Sequence, residues 1–133
     1  MPERISFDYA PIWVVPRVER HESLAAGVVL RCIARDFLSA RVHLDEARLR
    51  ALAPELDVDV DVELIRRHLD AIVRICAAAP DAGPVAALDP RERWHWLVAP
   101  RSTVIQIGPV HVGLCEDPAA ALDHLFDKLV GHR

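Results

Sequence analysis

The sequence predicts an α+β fold: a mainly antiparallel sheet of four to five strands with two or three helices packed on one face. Three observations lead there. Strand-like segments come first, helical ones follow, strands return and a helix closes the chain, which is not the strict alternation of a parallel βαβ protein. Phe37 to Leu44 alternates apolar and polar residues, the period of a half-buried strand. The segments after Asp61 and after Asp117 carry apolar residues at helical spacing.

Taken in order, Ile12 to Val18 is β-rich, with Pro16 placing an edge or a strand end there because it lacks an amide donor. Gly27 to Ile33 reads as a second strand. In the third, Leu38, Ala40, Val42 and Leu44 share one face, and Ser39, Arg41 and His43 the other. Ala34-Arg35-Asp36 is short enough to close a hairpin between the second and third strands. Asp45 caps a short helix, Glu46 to Ala53, which Pro54 stops. A longer helix starts near Asp61 and ends before Pro80. Its stripe is Val62, Ile65, Leu69, Ile72, Val73 and Cys76, with Arg66, Arg67 and Asp70 opposite. Pro80 to Pro90 reads as a loop.

Trp94 to Val98 fits a strand and a helical turn equally. Thr103 to Ile107 and Val110 to Leu114 read as two short strands broken by Gly108-Pro109, and a hairpin there would set Gln106 beside His111. The last helix has Asp117 as cap and Pro118 in its first turn. Leu122, Leu125, Phe126, Leu129 and Val130 line one face, and Gly131 is the stop.

The 133 residues fit a single domain over 1–133, large enough to hold a core without disulfide or metal. Apolar residues at 52% and charged residues at 27% are a globular balance. A net charge of -4 argues against nonspecific nucleic-acid binding, which depends on basic side chains neutralising phosphates. Lys128 is the only lysine, and the preference for Arg, Ala, Val and Asp reads as the product of a GC-rich genome. Cys32, Cys76 and Cys115 form no paired motif and are expected as free thiols in a reducing cytoplasm. Met1-Pro2-Glu3-Arg4 leads into a polar stretch without a signal-peptide pattern, and no apolar run reaches membrane-spanning length.

Candidate chemistry is sparse. Arg101, Ser102, Thr103 and Gln106, with His111 across the expected hairpin, could hold a phosphate or carboxylate, Arg101 supplying the fork. The plainer reading is a polar loop bonding its own backbone at a sheet end. Arg17, Glu19, Arg20, His21 and Glu22 could add a second arginine and a base to that site, or be a self-paired surface run. The seven histidines show no metal-ligand spacing, so no metal is expected. His111 and Cys115 share a strand face but stand ~13 Å apart along it, too far for a nucleophile and its base. No Gly-rich phosphate loop, nucleophile elbow or kinase signature is present, so no cofactor is implied. Trp94 and Trp96 could form a docking patch or cap the core.

Tyr9 with Val14-Val15-Pro16-Arg17-Val18-Glu19-Arg20, then Gly27-Val28-Val29-Leu30, then Ala99-Pro100-Arg101-Ser102-Thr103-Val104-Ile105-Gln106 together resemble a bacterial family, "domain of unknown function 3037". The similarity runs from about Tyr9 to Val130, and the Pro-Arg-Ser-Thr-Val-Ile-Gln run is its most specific part. The family carries no activity to transfer. The resemblance implies a kinase-like protein of the HipA type as a partner. Two functions are therefore expected as alternatives. One is a non-catalytic accessory subunit of a protein partner, or a homo-oligomer. The other is a small enzyme or binding domain for an anionic ligand, using Arg101, Ser102, Gln106 and His111 with Arg17.

Overall fold

The computed structural model describes residues 3–20, 22–101 and 103–131, and residues 18, 58 and 60 by backbone alone. Its spine is β1 (Ile5–Arg17), a strand with apolar residues on both faces. Ala10, Ile12 and Val14 are fully buried on one side, and Phe7 is buried on the other. β2 (Glu22–Cys32) runs antiparallel beside it. The register slips between Ile12, opposite Gly27, and Trp13, opposite Ala25, so Ala26 is an inserted residue. That bulge aims Leu24 and Ala26 into the same core as Val29. The expected hairpin to β3 (Phe37–Val42) closes through a 3-10 turn at Ile33–Arg35 and Asp36 in the left-handed region at φ 49°.

On the far edge of β1, two short strands lie end to end. β4 (Ile105–Ile107) pairs antiparallel with Ile12 to Val14, and β5 (His111–Cys115) with Ile5 to Tyr9. The sheet is therefore five-stranded and antiparallel, in the order β3-β2-β1 with β4 and β5 both on the last edge. The α+β class predicted from sequence stands. The hairpin expected at Gly108-Pro109 does not form: these residues interrupt one long edge rather than reverse it. The proline has no amide to donate, so the ladder breaks there and resumes one strand later. Gly108 donates instead to the carbonyl of Pro11 at 3.0 Å.

Among the described residues, four helices flank the sheet: α1 (Glu46–Leu52), α2 (Glu63–Cys76), α3 (Pro90–Val98) and α4 (Pro118–Leu129). A π-turn at Val58–Val62 leads into α2. Trp94 to Val98 is thus helical. Asp89 accepts the Glu92 amide at 2.8 Å and Pro90 fits the first turn, a start signal that outweighs the strand-like alternation. Asp45 and Asp117 cap α1 and α4 as expected. Leu49, Ile65, Leu69, Ile72, Trp94 and Leu97 bring α1, α2 and α3 onto the face of Ala10, Ile12 and Val14. Helix α4 covers the opposite face, where Leu122 meets Phe7, Val28, Leu30 and Cys32. Its position follows from β1 and β2, which present apolar side chains on both sides and need two covers.

A buried charge joins the helical layer. Arg93, 7% exposed, donates to the carbonyls of Ile75 at 3.0 Å, Cys76 at 2.7 Å and Leu88 at 3.0 Å. The first two are among the carbonyls α2 leaves without an intrahelical partner at its C-terminus.

Two substitutions test this packing by thermal and denaturant melting. Arg93→Leu removes three hydrogen bonds from the guanidinium, leaving the Ile75 carbonyl only the Ala78 amide, and is expected to cost about 3 kcal/mol. Gly27→Ala would put a Cβ 2.5 Å from the Arg41 carbonyl oxygen and 3.2 Å from Ile12 Cδ1. It is expected to cost about 2 kcal/mol, because the neighbouring strand backbone must move.

Candidate functional site

The residues singled out by sequence divide between two places. Arg101 leaves the end of α3 and turns back on it, donating to the carbonyls of Trp96 and, at 3.4 Å, Leu97. Its guanidinium lies 4.2 Å from the centre of the Trp96 ring. The Thr103 hydroxyl donates to the Ile105 carbonyl at 2.7 Å, and the Gln106 amide to the Thr103 carbonyl at 3.0 Å. These side chains shape the backbone between α3 and β4, the plainer of the two sequence readings. Ser102 and His21 lie outside the described residues.

His111 is elsewhere. Gln106 stands opposite Trp13 and His111 opposite Tyr9, so about four residues of strand, ~13 Å, separate them along β1. The proximity expected from a hairpin is corrected accordingly. His111 instead stacks on Tyr9 with ring centroids 5.3 Å apart. Arg17 lies at the same end of β1 as the segment that enters β4, because Val14 faces Ile105 and the Val15 amide reaches the Val104 carbonyl. Its guanidinium, however, is engaged by Glu55. The Glu55 carboxyl is held below its usual range by its own backbone amide and by Arg17. Arg20 pairs with Glu22 at 2.7 Å. The early arginines are neutralised locally.

Trp94 and Trp96 part company. On a helix, positions two apart point to opposite sides. Trp94 is 4% exposed and part of the core, which removes it from a docking patch, while Trp96 is 41% exposed.

Trp96 and Arg101 border a cavity that the sequence did not announce. It has a volume of about 220 Å³ and lies between α2, the end of α3 and β4. His68, Ala71, Ile72 and Ile75 line one wall, and Ile105 and Ile107 the other. The i, i+3, i+4, i+7 spacing of the α2 residues was the available signal.

A second feature is the outer side of β5. Val112 is 71% and Leu114 61% exposed, and Val110 just before the strand is also exposed. A shallow hollow of about 520 Å³ adjoins the strand, bordered by Phe7, Leu114, His124 and Leu125.

Among the described residues, no group of three or more His, Cys, Asp or Glu stands close enough to hold a metal ion. No helix among them is long and apolar enough to cross a membrane. His111 and Cys115 begin and end the regular strand β5, and burial, with Cys32 and Asp117 nearby, raises the Cys115 thiol pKa. Burial pushes the Cys76 thiol up to about 12, against a smaller opposing pull from Arg93.

Fold and site together define an α+β domain whose antiparallel sheet is covered by helices on both faces, in which Arg101, Thr103 and Gln106 bond nearby backbone and Arg17 and Arg20 form ion pairs. The chain belongs to the family described as "Protein of unknown function (DUF3037)", whose model matches residues 9–130. Comparison with curated proteins and with solved structures found no match.

A raised pKa leaves less thiolate at a given pH, and the thiolate is the reactive form. Iodoacetamide at pH 8 is therefore expected to leave Cys76 and buried Cys32 unmodified in the folded protein and to label Cys115 slowly. Mass spectrometry would show at most one adduct before denaturant is added and three afterwards.

Proposed function

We propose that this protein is a non-catalytic partner domain that receives an extended segment of another protein along β5. One observation carries the reading. β5 pairs with β1 on one side only, and it leaves Val112 and Leu114 largely exposed. An edge strand presents backbone donors and acceptors that another strand can pair with. Alternating side chains then supply specificity, which is the logic of strand addition. The partner segment that fits is extended, with apolar residues at every second position to meet Val110, Val112 and Leu114. The hollow beside Leu114 has room for a larger side chain.

A foreign segment suits this edge better than a second copy. β5 is five residues long, and pairing two such strands falls well short of the ~1,200 Å² that stable interfaces bury. The net charge of -4 also opposes self-association. A cytoplasmic location, expected from the unpaired cysteines, and a kinase-like partner, implied by the resemblance to a bacterial family, are part of this proposal. The anionic-ligand reading built on Arg101, Ser102, Gln106 and His111 with Arg17 has less support as one shared site, since Arg17 is held by Glu55 and His111 stands apart from Gln106.

The test uses the full chain as bait in its host, followed by reconstitution with the purified, identified partner. Val112→Lys with Leu114→Lys is expected to weaken binding at least tenfold while leaving the melting temperature within a degree or two, since both side chains are exposed. Unchanged affinity would reject β5 as the docking edge. Sedimentation showing a wild-type dimer that the double variant dissolves would replace the partner with a second copy.

A further inference from the structure

The cavity between α2, the end of α3 and β4 has a chemistry of its own, independent of the β5 edge. Its walls are mainly aliphatic: Ala71, Ile72 and Ile75 from α2 face Ile105 and Ile107 from β4. Among the described residues, the only ionisable side chains lining it are Arg101 and His68, and no carboxylate lines it. In a chain that is acidic as a whole, a hollow bordered only by basic groups is a local reversal of charge. Arg101 is charged at any working pH, and the His68 ring can add an N–H donor.

The guanidinium is also held in place. It stacks on the Trp96 ring at 4.2 Å, and the Trp96 and Leu97 carbonyls fix part of its fork. An arginine positioned before binding loses less side-chain entropy when it meets a carboxylate. The apolar space decides what the body of a ligand can be. An apolar cavity of about 150 Å³ admits benzene. At about 220 Å³ this one takes a single ring with a short arm. Such a volume lies below the ~300 Å³ at which drug-sized sites begin, so larger or polycyclic molecules do not fit.

We infer that this cavity binds a small arylalkyl carboxylate, its ring between the isoleucines of α2 and β4 and its carboxylate at Arg101 and His68. The ring replaces water against Ile72 and Ile105, and the carboxylate gives a charge-assisted hydrogen bond at the mouth. Arylalkyl amines are disfavoured, because their ammonium would face Arg101 without a counter-charge.

The probe is 3-phenylpropionate, titrated into the full chain while the Trp96 indole N–H is followed by NMR. A saturable shift is expected. 3-Phenylpropanol, which keeps the ring and lacks the charge, is expected to bind at least tenfold more weakly, and phenethylamine not at all. Arg101→Gln should weaken 3-phenylpropionate at least tenfold. Because Arg101 also caps α3, a second variant separates binding from folding. Ala71→Phe, at an exposed position on the cavity wall, should block the probe with an unchanged melting temperature. No saturable shift at millimolar probe, or equal affinity for the alcohol and the acid, would overturn the inference. So would full binding by folded Ala71→Phe. None of these results touches the β5 edge, whose test reads a different partner and different residues.

Discussion

The burial of β1 on both faces and its pairing on both edges is the constraint from which the rest of the molecule follows. A strand in that position must be apolar on both sides, and from Tyr9 to Val15 it has no charged residue. Ala10, Ile12 and Val14 demand the α1–α3 layer, and Ile5, Phe7 and Tyr9 demand α4. Where the strand turns polar, at Ser6 and Asp8, the helical layer above it is no longer needed. The residues opposite those two on β5, Leu114 and Val112, are the ones left uncovered. The exposed edge is thus a consequence of where β1 stops being fully buried.

Much of the fold was legible in the sequence because local chemistry and tertiary context agreed. The caps Asp45 and Asp117, the stripe on α2 and the Ala34-Arg35-Asp36 hairpin each carry their own signal within a few residues. The reading stayed open or went wrong where one signal serves two structures. Trp94-His95-Trp96 alternates as a strand does, and only the Asp89 cap with Pro90 resolves it as a helix. Gly108-Pro109 is a turn signal and equally a ladder break, and only pairing with β1 distinguishes them. The amphipathic stripe of α4 shows that the helix is covered, not which face of the sheet covers it.

The candidate site was less legible, for a different reason. Charged residues attract attention in a sequence, yet here the folded chain spends them locally: Arg17 on Glu55, Arg20 on Glu22, Arg101 on the end of α3. Arg93, which holds the end of α2, shows no motif at all, because its partners are backbone carbonyls from Ile75, Cys76 and Leu88. What remains available to other molecules is mostly apolar: an edge strand and a cavity with one cationic rim. Val112 and Leu114 on the edge strand are not residue types that sequence reading treats as chemistry, and the cavity is marked only at its rim, by Trp96 and Arg101.

The far edge of β1 has a temporal consequence. Its partners come from the last third of the chain; the Trp13 indole bonds the carbonyl of Gly108, 95 positions further on. During synthesis on the ribosome, β1 and β2 emerge early and can zip together, while the other side of β1 waits for β4 and β5 to clear the exit tunnel. Throughout that interval the nascent chain displays an open, strongly apolar strand margin, an aggregation hazard that lasts until β4 and β5 are free to pair.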